Sequence, residues 1–301
     1  MNFIKNLPIP ISGLILALFS LGNLVQEIHP SLKCIFGIIG LIFLILIIMK
    51  LVLYPQYIKE DFKNPIIVSS SGTFTMSLMI LSTYIIEFTP TFAYTLWIIG
   101  LSLHILLMIY FTYNFIMHNF DYSTVFPSYW ITYVGITMGA ITSHSHNIEE
   151  IGFIFFIIGF ISMMITTPII INRYIKYPEI DNANKPLICI FTALFSILIV
   201  GYSNTALYFS KEFIIILYII ACIFYIFSLY KLINYRNLEF YPSFSAFTFP
   251  FVISALATKQ ITLKISENII LTSILNLQTA VATILVIYVL IRYVNYLKTI
   301  N

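Results

Sequence analysis

The residues with the most to offer chemically lie in a stretch too apolar for water, Tyr241 to Gln260, YPSFSAFTFPFVISALATKQ. Ser243, Ser245, Thr248, Ser254 and Thr258 carry hydroxyls there, and Pro250 sits near its centre. A hydroxyl donates and accepts hydrogen bonds but holds no charge at neutral pH. The chemistry on offer is therefore weak, reversible solvation of something in transit, and not acid–base or nucleophilic catalysis. Proline removes one backbone donor and kinks a helix, freeing carbonyls that need other partners. A helix facing only lipid needs neither feature. Within a membrane such backbone is tolerated where it is buried in protein or lines a wet cavity, so this segment reads as one wall of a pore.

Ionisable groups inside apolar segments are scarce. A charge at the bilayer centre is costly and marks an ion path or proton relay. The one mid-segment candidate is His104, in LSLHILL. No carboxylate or second histidine accompanies it, which argues against a proton pump or a tightly proton-coupled carrier. A hydrogen-bonded histidine at a helix or subunit interface is expected. His144 and His146 stand with Glu149 and Glu150 in SHSHNIEE, but without a recognised metal-ligand spacing; a solvated turn and no metal site are expected. Cys34, Cys189 and Cys222 have no metal-like spacing either and read as small buried side chains. No Ser–His–Asp set or glycine-rich phosphate loop stands out, so neither an enzyme nor a cofactor is expected.

These residues must be positioned by elements of a particular kind. The 301-residue chain is 60% hydrophobic and 9% charged, where soluble domains carry about 25% charged residues. It reads as an integral membrane protein, with the lipid bilayer as its solvent. A net charge of +3 is too small to suggest nucleic acid as a partner. A spanning helix needs about 20 mostly apolar residues. Ten segments qualify: 8–27, 34–54, 65–86, 92–115, 127–144, 150–171, 186–205, 212–233, 243–263 and 268–296. The first has no small-residue cleavage site with the right flanks and reads as a retained span. The connections are short, so no nucleotide-binding motor fits between the spans, and residues 1–301 read as a single transmembrane domain.

With ten spans both termini lie on one side. That side collects eleven of the 15 basic residues, from Lys5 and Lys50 to Arg292 and Lys298, and the other holds only Lys33, Lys211, Lys259 and Lys264. Basic loops stay inside, so both termini are expected in the cytoplasm. Heavy Ile, Asn, Lys and Tyr usage suits a bacterium, hence a bacterial inner membrane.

A repeat underlies the spans. Pro8, Pro65, Pro127, Pro186 and Pro242 open every odd span, 57, 62, 59 and 56 residues apart. Proline is welcome in a first helical turn, where its missing N–H costs nothing, and the constant interval suggests five helical hairpins in tandem. Odd spans are rich in small and hydroxyl residues, whereas even spans are runs of Ile, Leu and Phe, such as FIIILYIIACIFYIF. Small residues suit close packing or a narrow water path, and bulky aliphatic ones suit lipid. The expected architecture is all-α, with five odd helices inner around a central pore and five even helices outer. Candidates for the pore lining are Gly13, Ser71, Thr73, Thr75, Thr132, Gly135, Thr137, Thr192, Ser196 and Ser245. An uncharged, hydroxyl-lined conduit can admit an anion without trapping it, and a cation path would more often show Asp or Glu rings.

The opening LPIPISGLILAL, PSYWITYVGI in the fifth span and SAFTFPFVISALAT in the ninth resemble the tellurite-resistance/dicarboxylate transporter family, which includes bacterial TehA and the plant slow-type anion channels. The resemblance covers essentially the whole chain. It implies ten spans as five hairpins, a homotrimer with one pore per subunit, and a phenylalanine that plugs the pore midway. The family's pattern of aromatic, Ser or Thr, Phe and Pro falls here on Phe247, Thr248, Phe249 and Pro250. The implied gate is Phe249, with Phe247 the competitor by slip; two residues apart on a helix is about 200°, so both cannot face one axis. Gly13 matches the family's glycine in the first span. The expected function is a passive or weakly gated channel for small anions, and the alternative is an alternating-access carrier for a C3–C4 dicarboxylate such as malate or malonate, or for sulfite.

Overall fold

A computed structural model describes residues 2–205 and 209–299. Ten elements carry the fold: α1 Ile11–Val25, α2 Pro30–Leu53, α3 Pro65–Ile85, α4 Pro90–His118, α5 in two pieces, Ser128–Tyr133 and Thr137–Ser143, α6 Glu149–Lys176, α7 Lys185–Thr205, α8 Lys211–Asn234, α9 Pro242–Lys264 and α10 Ile269–Thr299. Short helices Asn2–Lys5 and Pro55–Asp61 flank the first hairpin, and no strand occurs among the described residues. Helix starts follow local chemistry. Pro30, Pro65, Pro90 and Pro242 occupy first turns, where the absent N–H has no partner to lose. The Asn64 Oδ1 accepts from the Ile66 N–H at 2.9 Å and the Ser210 Oγ from the Phe213 N–H at 3.2 Å, each covering a donor that the helix leaves open.

Among the described residues, eight helices are long and apolar enough to cross a membrane. The other two differ from expectation. The first span is helical only from Ile11 to Val25, 15 residues or about 22 Å, because Pro8 and Pro10 force tighter turns ahead of it; the Ile11 N–H bonds the Pro8 carbonyl at 3.1 Å and the Gly13 N–H that of Pro10 at 3.0 Å. The fifth is broken between Tyr133 and Thr137.

The inner and outer roles sort as expected. Of α1, every residue but Asn23 is buried. In their most apolar stretches α3, α7 and α9 bury 72%, 100% and 72% of residues, against 39%, 33%, 22%, 28% and 22% for α2, α4, α6, α8 and α10. Each odd helix packs on the even helix that follows it, which is the hairpin repeat. The inner helices form a closed ring, α1 on α3, α3 on α5, α5 on α7, α7 on α9 and α9 back on α1. Outer helices lean on the ring and scarcely on one another. Their outward faces are Ile stripes such as Ile219, Ile223 and Ile226, a surface suited to lipid hydrocarbon or to a protein partner rather than to water. Cys34 sits exposed near the start of α2, Cys222 is half-buried and Cys189 is buried. The expectation of burial thus fails for Cys34, whose position faces outward from the ring.

Close approach of outer to inner helix depends on glycine. At Gly100 of α4 a Cβ would stand 3.0 Å from the Thr75 carbonyl, and at Gly159 of α6 only 2.0 Å from the Thr137 Oγ1. Gly159→Val therefore overpacks the α5–α6 contact at a cost of about 1–3 kcal/mol. The expected outcome is a lower thermal unfolding temperature in detergent, while Ile161→Val on the exposed face of the same helix leaves it unchanged.

Candidate pore

All five inner helices change their winding at a common level. The regular α-helical stretches begin at Ile11 in α1, Gly72 in α3, Thr137 in α5, Phe191 in α7 and Phe249 in α9. Before them, α7 and α9 are wound tightly over Lys185–Ile190 and Pro242–Phe247. In α9 the disruption falls at Thr248, with φ −108° and ψ −85°, and Pro250 sits in the first turn that follows. Pro250 was expected to kink a continuous helix. Instead the helix ends before it and restarts around it, since a proline in a first turn has neither a missing bond nor a clash to resolve.

These interruptions surround a cavity of about 60 Å³ to which every inner helix contributes. That is room for a few water molecules. Gly13, Thr73, Gly135, Ser245, Phe249 and Pro250 all line it, as the sequence suggested. Phe247 does not; its ring packs against Phe244 at 5.0 Å. At Gly13 a Cβ would come within 3.0 Å of the Ser245 Cβ, so glycine lets α1 and α9 meet here.

Six candidates lie elsewhere, and for Thr75, Thr132, Thr192 and Ser196 the reason is that the hydroxyl serves a contact between helices. Ser71 and Thr75 border a second cavity behind α3. The Thr132 Oγ1 donates to the Ser69 carbonyl at 3.2 Å and the Thr192 Oγ1 to the Phe224 carbonyl at 3.1 Å. The Ser196 Oγ donates to the Thr192 carbonyl at 2.9 Å and lies 3.1 Å from the Ser254 Oγ. Thr137 packs under Gly159 and Gly201, and its buried hydroxyl has no partner among the described residues. Lining residues not anticipated are Ser70, Trp130 and an aliphatic row on α7 that includes Ile190, Leu194 and Ile197. Ser70 was recoverable in principle, one turn ahead of Thr73. The aliphatic row was not, because α7 is apolar on every face.

Among the described residues the wall carries no ionisable side chain, and its hydroxyls already donate locally. The Ser70 Oγ donates to the Ile66 carbonyl at 2.7 Å, the Thr73 Oγ1 to that of Ser70 at 2.8 Å and the Ser245 Oγ to that of Pro242 at 3.2 Å. What they turn to the lumen is a mildly polar, neutral surface among apolar neighbours. Such a surface binds nothing tightly, which transit requires.

His104 reaches this level from the outer ring. It is fully buried. Its Nε2 donates to the Thr132 carbonyl at 3.0 Å and its Nδ1 lies 2.6 Å from the Thr75 Oγ1, so one ring ties α4 to both α3 and α5. The turn after α5 is less solvated than expected: the His144 Nδ1 is 2.7 Å from the Glu149 Oε1, but the His146 Nε2 meets the Ser82 Oγ at 2.9 Å and its ring lies against Tyr94 and Trp97. Burial holds the His146 imidazole below its usual pKa. No group of three metal-ligating side chains occurs among the described residues. Replacing His104 by Phe strands the buried Thr132 carbonyl at a cost of about 1–3 kcal/mol. A lower unfolding temperature in detergent is expected, with partial recovery in His104→Gln, which keeps a donor.

The sequence was also compared with known proteins. No curated protein matches it. The profile of the voltage-dependent anion channel family, SLAC1, matches residues 6–294, nearly the whole chain, including every inner helix and the cavity they enclose. This chain belongs to the SLAC1 family of voltage-dependent anion channels, the family that also includes the TehA-type transporters.

Proposed function

We propose that the chain is a passive or weakly gated channel for small anions, in which the Phe249 ring closes the central cavity. The observation that carries this reading is the place of Phe249: on the cavity wall, at the residue where α9 restarts, directly after Thr248, whose backbone lies outside the helical region. A ring at a backbone discontinuity can turn aside, or move with a small shift of α9, without unwinding a helix. An apolar constriction blocks ions by excluding water, and Phe249 among Ile190, Leu194 and Ala246 supplies one.

The sign of the ion follows from what the wall lacks, for a carboxylate ring would favour cations. Its size follows from the cavity. Space for a few waters suits a monatomic or small oxyanion, whereas a four-carbon dicarboxylate needs the walls to separate. This weighs against the carrier alternative for malate or malonate. The distribution of lysine and arginine supports cytoplasmic termini, the composition supports a bacterial inner membrane, and the resemblance to trimeric relatives supports a homotrimer with one pore in each subunit.

In liposomes or oocytes, Phe249→Ala is expected to raise anion flux by about tenfold or more, equivalent to removing a barrier of at least about 1.4 kcal/mol. Phe247→Ala leaves flux near wild type. No increase in Phe249→Ala counts against the ring as the closure. A reversal-potential series with chloride, nitrate and malate gradients, measured on Phe249→Ala, is expected to rank the two small anions above malate; preference for malate, with accelerated counterflow of labelled malate, would favour the carrier.

A further inference from the structure

A second cavity, of about 340 Å³, lies between the outer helices α2 and α4, behind the ring. Its sides are apolar, with Ile47 of α2 facing Leu103 and Leu106 of α4, and Phe74 of α3 at the back. Leu103 and Leu106 are also 39% and 59% exposed, so the space is continuous with the lipid-facing surface. That continuity arises because α2 and α4 each pack on the ring and scarcely on each other. One end is closed by Ile58 and Phe62, at the short helix Pro55–Asp61. Water is a poor occupant, since a buried water needs two to four polar partners. Hydrocarbon fits, and regains the dispersion contacts that an empty apolar space forfeits.

The closed end is not apolar. Lys50 lines it and is 4% exposed. Its Nζ donates to the Leu7 carbonyl at 2.8 Å and to the Asp61 Oδ2 at 2.7 Å. An ammonium has three donors, and the third has no acceptor among the described residues. Lys59 stands on the short helix, Lys63 just beyond it pairs with Glu60 at 2.6 Å while staying exposed, and the Lys5 Nζ lies 5.3 Å from the Tyr57 ring. Glu60 and Asp61 are the acidic residues of this corner, so it is net positive. Basic clusters at a membrane surface attract anionic headgroups.

We propose that this cavity binds one acyl chain of an anionic glycerophospholipid, its headgroup at the Lys50, Lys59 and Lys63 corner, and that the occupant bears on the pore. The partition between the two cavities is thin. Ser12 borders the lipid cavity and Thr73 the central one, and their hydroxyl oxygens lie 2.7 Å apart. Ser70 and Ser71, adjacent in sequence, face opposite ways across the same partition. An acyl chain packed on Phe74, Ser71 and Thr75 braces α3 where its regular helix begins. Only this coupling to flux rests on the channel reading; the binding site stands on its own geometry.

The test is native mass spectrometry of the full chain loaded with phosphatidylglycerol or with phosphatidylcholine of the same acyl composition. Wild type is expected to retain one phosphatidylglycerol per chain. Leu103→Phe combined with Leu106→Phe, which fills the cavity, is expected to cut retention at least tenfold. Lys59→Gln with Lys63→Gln, which leaves the packing alone and so guards against a misfolded filling variant, is expected to abolish the preference over phosphatidylcholine. Equal retention in wild type and the filled variant overturns the site, and so does a filled variant whose only change is in oligomer mass, which would assign the groove to a second copy of the chain. Equal retention of the two lipids by wild type overturns the headgroup assignment. Loss of lipid with unaltered flux on a Phe249→Ala background overturns the coupling, whereas an inert Phe249→Ala variant that still retains lipid refutes the Phe249 closure alone.

Discussion

Hydrocarbon offers no water to a backbone N–H or C=O, so each must find its partner within the protein. The fold can be understood as the answer to that constraint at five interruptions in five buried helices. At the α3 interruption the Ser71 N–H is shared between the Ile67 and Val68 carbonyls, at 3.0 and 3.1 Å. At that of α5 the Gly135 N–H turns back to the Trp130 carbonyl at 3.0 Å, and the Thr132 carbonyl is taken by His104. In α9 the Thr248 hydroxyl donates to the Ser245 carbonyl at 2.6 Å, and Tyr293 of α10 donates to the Pro242 carbonyl. These interruptions are thus supported from a neighbouring turn or a neighbouring helix, and a space can open at the centre without orphaning the backbone at them.

The same constraint explains why so few hydroxyls reach the lumen. A serine or threonine in hydrocarbon must spend its donor, and the nearest acceptor is usually the carbonyl three or four residues back. Ser20, Ser77, Thr142 and Thr205 all do this, at 2.7–2.8 Å. Others bridge helices, as Trp97 does with Thr142 at 2.7 Å and Ser69 with Ser128 at 2.8 Å. Hydroxyl richness in the odd spans therefore marks the interior of the ring as a whole, and the lumen is only one part of that interior.

This is also where sequence reading succeeds and where it stops. The hairpin repeat was legible because Pro8, Pro65, Pro127, Pro186 and Pro242 punctuate it, and the inner and outer rings because lipid and protein select different side chains. The choice of Phe249 over Phe247 came from the family resemblance, whose pattern ends in Phe249 and Pro250; helical phase alone said only that the two rings could not share a face. The direction in which Ser71, Thr75, Thr192 and Ser196 point was not, since each helix changes winding just at this level and a change from α to a tighter turn rotates every residue after it. The apolar contribution of α7 was invisible for a different reason: a helix buried on all sides leaves no periodicity to read.

The neutral wall has an electrical corollary. A membrane potential does work on charge alone, about 2.3 kcal/mol per elementary charge per 100 mV. None of the described side chains around the central cavity carries charge, and turning the Phe249 ring moves none. As the conduit proposed above, the cavity therefore offers the field no side-chain charge to act on. The only charge that the field can drive through it is the permeating ion, so any voltage sensitivity arising here reports where ions reside along the path and not the displacement of a sensor in the protein.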